Sequence, residues 1–434
     1  MNTDLKLELF QPNTWTQNSN HQAVNISALP GFIFESDTSF LFLNEQLNND
    51  RKQEIWQQVQ AFLHTSQVIT EPSLLIPTSG TTSHLLKIVV LKKRNFLNAA
   101  KKANAVLNST PSDTWLVSLP LHHVAGLSIL ARAYLNKNKT YYWMKWDPQI
   151  FAKNLNQLNI NFCSLVPTQI FDLISKDISA PKHLKTVLVG GSALPNQYWE
   201  QMVSLGWPLL KTFGMTETAA FISTSRKSDK YYVPLPNIEL TLDQNDRLAI
   251  KTDSLFDGYL IESGAPHKTQ NTEDKTSTRA ITENIWQFQP IPLQDGFWST
   301  EDRAELSGNQ FQILGRDQGI IKIKGELVNT QLLNQRLTDV SAEMSLGNHA
   351  PILHFVPNDR DEHELFAIFT KNLDEAKQKT VIKRFNDAVL PYERIHWYIL
   401  VDEIPRTDLG KIKTSSFSTD SFKESYFENR QSIL

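Results

Sequence analysis

The chain has almost no cysteine. A single one, Cys163, among 434 residues excludes an intramolecular disulfide and, by itself, a cysteine-based metal cage. Glycine is scarce too: 16 residues in all, against a usual share of about 7%. Where glycines do gather, the backbone has a reason to want them. Long apolar runs are missing, and stretches such as HWYILV at 396–401 fall far short of a membrane span. The N-terminus, MNTDLKLELFQPNTW, lacks the apolar core of a signal peptide, so the expected location is cytoplasmic. Neither charge sign dominates. With 43 Lys and Arg against 46 Asp and Glu, the formal net charge of −3 leaves no electrostatic footprint for nucleic acid.

What is present is an ordinary globular composition, 40% hydrophobic and 21% charged, on a chain long enough for two or three domains. A helix is predicted over Asp50–His64, where Ile55, Val59 and Phe62 share a face. Strand-like runs follow at 73–76, 114–121, 161–167, 185–191 and 208–214. They alternate with helical patterns near 94–108, 126–135, 148–158, 168–175 and 195–204. Such alternation predicts an α/β fold with a largely parallel sheet, whose ligand loops sit at the carboxyl ends of the strands. Residues 237–262 read as short alternating strands of a small β-rich subdomain, and the polar stretch 263–282 as a surface insertion. The expected division is a large N-terminal domain, 1–316, of mixed and parallel sheets flanked by helices, followed by a small α+β domain, 317–434.

Several segments carry chemistry. Thr78, Ser79, Gly80, Thr81 and Thr82 place hydroxyls and backbone amides around one glycine, and Lys87 follows with a full positive charge. This pattern suits an anion, or else a polar surface turn. A Walker loop is excluded, because no G-x-x-x-x-G-K-[ST] occurs. FGMTETAA at 213–220 sets Thr216 and Glu217 after a glycine turn. They could hold Mg²⁺ and a phosphate oxygen, or open a helix with Thr216 as its cap. Asp302 in WSTEDRAEL could take a ribose diol or simply face water. LGRDQGIIKIKGE at 314–326 carries Arg316, and PRTDLGKIK at 405–413 carries Lys411. Ser192 in GGSAL lacks the G-x-S-x-G elbow of a serine hydrolase.

In order, the hydroxyl–glycine loop, LPLHHVAG, VLVGGSALP, FGMTET, STEDRAEL, GRDQGIIKIKGE and PRTDLGKIK resemble the acyl-adenylate-forming superfamily over roughly residues 73–415. The resemblance implies two half-reactions. ATP and a carboxylic acid give an acyl-adenylate and pyrophosphate, then the thiol of coenzyme A displaces AMP. It also implies roles. Thr78–Thr82 and Lys87 would close on the β- and γ-phosphates, and Glu217 would ligate Mg²⁺ beside Thr216. Gly190, Gly191 and Ser192, with Phe213, Gly214 and Met215, would flank adenine and the acyl group. Asp302 and Arg316 would hold the ribose, and Lys411 the α-phosphate. The C-terminal domain of the family swings between the two steps. The implied pivot is Gln318, where an acid or lysine is more usual, with Lys322 and Gly325 lining the thiol tunnel. His123 matches the family histidine beside the acyl carboxylate. Read as neighbours on a strand, His122 and His123 would point to opposite faces, leaving His122 to the core.

Two departures stand out. The family loop usually continues Gly-x-Pro-Lys, whereas here Ser83-His84-Leu85-Leu86 precedes a lysine placed one residue late. The region before the loop is also shorter than in the family. LPLHHVAGLSILARAYL and WSTEDRAEL are most similar to the o-succinylbenzoate–CoA ligases of menaquinone biosynthesis. The resemblance thus implies o-succinylbenzoate as the acid, with ATP, Mg²⁺ and coenzyme A. Arg132 is a candidate for the substrate's second carboxylate, with a surface or packing role as its alternative. Another acyl- or aryl-CoA ligase and a non-catalytic adenylate-binding relative are the competing expectations.

Overall fold

A computed structural model describes residues 6–15, 23–45, 47–78, 86–143, 145–191, 193–226, 230–263, 286–316, 319–323, 326–358, 362–406, 412 and 431–432. Along the chain the elements used below are β1 (Ser73–Pro77), β2 (Lys87–Lys92), α1 (Lys93–Leu107), β3 (Thr114–Val117), α2 (Val124–Asn136), β4 (Lys139–Tyr142), β5 (Phe162–Leu165), β6 (Thr186–Val189), α3 (Asn196–Ser204), β7 (Leu209–Met215), β8 (Ala220–Ser225), β9 (Arg247–Lys251), β10 (Gly258–Glu262), β11 (Phe297–Ser307) and β12 (Gln310–Arg316).

The four strand-like runs after residue 110 assemble side by side. In the eight-stranded sheet the order is Val233–Pro234, β8, β7, β6, β5, β3, β4 and Val24–Asn25. The five strands from β7 to β4 are mutually parallel. In the three central strands, β6, β5 and β3, every residue is buried, as a parallel sheet covered by helices on both faces requires. The crossovers are α2, α3 and the helices Pro148–Gln157 and Pro167–Ser175, while α1 leads from β2 of the other sheet into β3. The predicted α/β architecture is the observed one. KTYY of β4 is a strand the apolar pattern did not reveal, because only Thr140 and Tyr142 are buried.

A six-stranded sheet runs Leu7–Leu9, Ser39–Leu41, β1, β2, β10 and Trp286–Pro290. Its centre separates two cores by simple alternation. Val89 and Leu91 of β2 join Phe96 and Trp115, while Ile88 and Val90 join Ile55, Val59 and Leu63 of the helix Asn49–Ser66. That helix begins where Asn48 accepts the Arg51 amide at 2.7 Å, an N-cap of the usual kind.

One part of the sequence reading needs correction. The run 237–262 does not stay together as a β-rich subdomain. Glu239–Leu242 and β9 pair in a five-stranded sheet with β11, β12 and Leu293–Gln294, but β10 leaves it and pairs with β2. The reason is packing. Leu260 is fully buried among Ile88 and Val90, and Gly258 lies so close to Gln289 that a Cβ would meet its carbonyl oxygen at 2.3 Å. Of the proposed surface insertion, residues 264–285 lie outside the described residues.

After β12 the chain forms a ribbon of Ile320–Ile323 and Glu326–Asn329, then a four-stranded sheet of Ile352–Asn358, Glu362–Thr370, Trp397–Val401 and Gln431–Ser432. Helices Thr330–Glu343 and Glu375–Asp387 cover it. This part has its own core of Val328, Leu337, Leu365, Phe369, Val381 and Phe385. Ala342 reaches the cluster of Tyr198 and Trp199 on α3.

Candidate active site

The hydroxyl loop lies in sequence between β1 and β2, which pair antiparallel. Thr78 donates its amide to the Lys87 carbonyl at 2.8 Å, and its hydroxyl reaches the same oxygen at 3.3 Å. The other side is clamped by Glu262. Its carboxylate accepts the Leu86 amide at 3.0 Å and the Arg51 guanidinium at 2.8 Å. Both ends of the loop are therefore tied to sheet. Ser79, Gly80, Thr81, Thr82 and the altered run from Ser83 to Leu85 lie outside the described residues.

Lys87 is diagonal to Tyr259 across the β2–β10 pair, for Lys87 opposes Ile261 and Tyr259 opposes Val89. Diagonal neighbours on one face are within reach of long side chains. The Lys87 ammonium stands 3.6 Å from the centre of the Tyr259 ring. The Tyr259 hydroxyl in turn donates to Glu217 Oε1 at 3.0 Å. A cation, a ring and a carboxylate thus form one chain linking three distant segments.

Glu217 itself sits at the tip of the β7–β8 hairpin, in a 3₁₀ turn of Thr216–Thr218. The alternative of a helix opening at Thr216 does not hold. Met215 is extended, and the buried Thr218 hydroxyl ties the turn by donating to Ala220 O at 2.8 Å and accepting the Met215 amide at 3.2 Å. Phe256 adds its amide to the Glu217 carbonyl at 2.9 Å. Gly214 is needed where the strands close: a Cβ there would lie 2.1 Å from Ala220 O and 2.3 Å from Phe221 Cα. Phe213 packs with Tyr232 and Phe311, ring centres 6.0 and 5.7 Å away. Gly190 and Gly191 follow β6 at its carboxyl end. Gly190 donates to Leu165 O, and Gly191 turns with φ +87°, a conformation that suits glycine. Ser192 lies outside the described residues.

Asp302 and Arg316 are direct register partners on β11 and β12. Asp302 is buried, not a solvated hairpin acid, and its amide donates to the Thr300 hydroxyl at 3.1 Å. The two residues assigned by resemblance to one ribose therefore share one rung of a sheet.

The histidine pair departs from expectation. β3 ends at Val117, so His122 and His123 lie in the turn before α2 rather than on a strand. Their rings are 4.3 Å apart and tilted by 46°, not directed to opposite faces. His122 is buried, as its core reading anticipated, and His123 is half-buried at the N-cap of α2.

Arg132 is no surface residue. It is 1% exposed, with its guanidinium 4.8 Å from the Trp115 ring centre and 5.5 Å from that of Phe221. Nε and Nη2 have no hydrogen-bond partner among the described residues, and burial pushes the guanidinium down to about 9. Phe221, whose ring the guanidinium faces, has its backbone close against Gly214.

In the C-terminal part, the backbone of Lys322 pairs with Leu327 in the ribbon. Arg406 and Ile412 bridge one another, bracketing Lys411 in sequence. Gln318, Gly325 and Lys411 lie outside the described residues.

Among the described residues no group of three or more His, Cys, Asp or Glu is arranged for a metal. Mg²⁺ does not need one: it prefers hard oxygens, keeps several waters, and is often held by one or two carboxylates plus substrate phosphates. The Glu217 carboxylate beside the Thr216 hydroxyl fits that donor set. Tyr259, Glu262 and Arg51 were missed by sequence reasoning. Tyr259 and Glu217 are 42 residues apart, and no local pattern joins them.

The family described as "AMP-binding enzyme" matches residues 21–260. A 2-succinylbenzoate–CoA ligase of Staphylococcus epidermidis is 24% identical over 368 residues, covering 80% of this chain and 69% of the relative. Among solved structures, the o-succinylbenzoate CoA synthetase of Bacillus subtilis in complex with its acyl-adenylate intermediate superposes with a TM-score of 0.71. It is 16% identical and covers 96% of this chain and 88% of that one. The same enzyme in complex with ATP and magnesium ion gives 0.69 at 17% identity, covering 95% and 88%. At such identities these structures speak for the fold.

Proposed function

The chain belongs to the AMP-binding enzyme family, and from that premise we propose that it is an ATP-dependent acid–CoA ligase. Its reaction converts 2-succinylbenzoate, ATP and CoA to 2-succinylbenzoyl-CoA, AMP and pyrophosphate, in menaquinone biosynthesis. The observation that carries the reading is the convergence of Lys87, a phosphate-seeking cation, and Glu217, a metal-seeking carboxylate, on one tyrosine. The relatives' names supply the acid.

In the first half-reaction the succinyl carboxylate attacks the α-phosphorus and the bond to the β-phosphate breaks, so pyrophosphate leaves. The hydroxyl loop and Lys87 hold the leaving phosphates, the Asp302–Arg316 rung orients the ribose, and Lys411 meets charge at the α-phosphate. Glu217 and Thr216 would hold Mg²⁺, which would supply further neutralisation of phosphate charge. Anion meeting anion is the difficulty, and preorganised cations and donors are the remedy. Arg132 takes the spare benzoate carboxylate: a buried guanidinium whose Nε and Nη2 have no hydrogen-bond partner among the described residues gains most from a bidentate anion. In the second half-reaction the CoA sulfur attacks the acyl carbon and AMP departs, with His123 beside the reacting carbonyl. We assign residues 1–316 to the nucleotide-binding domain and 317–434 to a lid that exchanges Lys411 for the Lys322–Gly325 face about Gln318. The location we infer is the cytoplasm, where ATP and CoA are at hand. Among the described residues no helix is long and apolar enough to cross a membrane.

The test is pyrophosphate release by the purified protein with Mg²⁺–ATP and 2-succinylbenzoate, with and without CoA, following the thioester by mass. Acid-dependent pyrophosphate and 2-succinylbenzoyl-CoA are expected. Turnover with other acids alone would move the chain to another CoA ligase. Nucleotide binding without turnover of any acid would make it an adenylate binder disabled at the altered loop.

A further inference from the structure

We infer that Tyr259 is a positioning residue for the nucleotide site, holding the metal-binding carboxylate with its hydroxyl and the phosphate-loop lysine with its ring. The inference rests on the ligase reading, since it takes Glu217 and Lys87 as groups that meet Mg²⁺ and phosphate. It concerns a residue that carries no charge and that the motif order did not single out.

The geometry gives Tyr259 two separate tasks. Its hydroxyl donates to Glu217 Oε1 at 3.0 Å, which restrains the carboxylate through one of its two oxygens. Residues that hydrogen-bond a metal-binding carboxylate orient it, and their loss typically costs about 10- to 100-fold in metal affinity. Its ring face lies 3.6 Å from the Lys87 ammonium, an attraction that is electrostatic and needs no proton exchange. Tyr259 can do both because β10 is rigid. It is paired with β2 on one side and Trp286–Pro290 on the other, and Phe256 both packs against Tyr259, ring centres 4.6 Å apart and tilted by 55°, and donates its amide to the Glu217 carbonyl. The cation and the carboxylate are thus kept apart from each other by an aromatic spacer. A direct Lys87–Glu217 ion pair would instead consume both groups before nucleotide arrived.

The two tasks separate by substitution. Tyr259→Phe keeps the ring and deletes the hydroxyl, whereas Tyr259→Leu deletes both. The probe is Mn²⁺ in the presence of α,β-methylene-ATP, followed by electron paramagnetic resonance, with binding of the analogue alone in chelator as the second readout. Tyr259→Phe is expected to weaken Mn²⁺ about tenfold while leaving metal-free nucleotide affinity and the unfolding midpoint unchanged. Tyr259→Leu is expected to weaken both. Equal Mn²⁺ affinity in wild type and Tyr259→Phe would overturn the inference, as would an equal loss of metal-free nucleotide binding in both variants. Wild-type protein that binds the Mn²⁺–nucleotide pair but turns over no acid would defeat the ligase reading alone, and the variant comparison would still decide Tyr259.

Discussion

Arg132 shows how a single residue can work against the fold and for the site. A guanidinium that is 1% exposed, stacked on Trp115 and Phe221 and lacking partners for Nε and Nη2, costs stability because its charge has left water. Burial lowers the guanidinium to about 9, below its ordinary value, so it is charged in both states at neutral pH. The penalty is therefore fully present there, and flat between about pH 6 and 8. Arg132→Met should leave the chain as stable or raise its unfolding free energy by about 1–4 kcal/mol, measured by denaturant titration. The same variant should lower kcat/KM for 2-succinylbenzoate by about 100-fold, the worth of a charged hydrogen-bonded contact, with KM for ATP unmoved. A loss of stability together with unchanged kinetics would make Arg132 a packing residue only. The sequence could nominate this arginine from its place after GLSIL. It could not say that the residue was buried or bare, because α2 is apolar nearly all round and its arginine faces Trp115 from β3.

At the scale of elements, the decisive piece is the β7–β8 hairpin. FGMTETAA is short and polar at its tip, so a helix start and a tight hairpin read alike along the chain. The structure chooses the hairpin because Gly214 allows β7 to bulge against β8, with the register shifting between Phe213 and Gly214. Gly214→Ala would drive a methyl group into the backbone of Ala220 and Phe221. With backbone on both sides, relief must come from the hairpin itself. A destabilisation of about 3 kcal/mol or more is expected, together with weaker Mg²⁺–ATP binding because Glu217 rides on the same turn. Chemical unfolding and isothermal titration check the two effects, and retention of full nucleotide affinity would uncouple the bulge from the site. The strands and helices of the parallel sheet were legible because period and length were both present. The destination of β10 was not, since a five-residue strand with alternating burial fits either neighbouring sheet. Only the fit of Leu260 into the second core, beside the close approach at Gly258, decided it.

For the whole molecule, the functional reading requires two parts that exchange faces. The C-terminal part has a core of its own and meets the N-terminal part where Ala342 joins the α3 cluster and Gly347 lies against Phe171. If Lys411 serves only adenylation, Lys411→Ala should slow acid-dependent pyrophosphate release by about 100-fold or more while thioester formation from supplied acyl-adenylate and CoA survives. Rapid-quench measurement of the separate half-reactions decides it; equal loss in both would remove the division of labour.

The sequence by itself determined the alternating α/β frame, the ordinary globular balance of its composition, and the residue types available for phosphate, metal and ribose. These follow from periodicity and from charged or hydroxylated groups standing in order, both of which are properties of a line. Tertiary structure alone decided that Asp302 and Arg316 share a rung, that Arg132 is buried against Trp115 and Phe221, and that Tyr259 joins Lys87 to Glu217. Each of these is a contact between residues of different elements. Such contacts are set by which side chains fill which core, and that competition is settled only when the sheets come together.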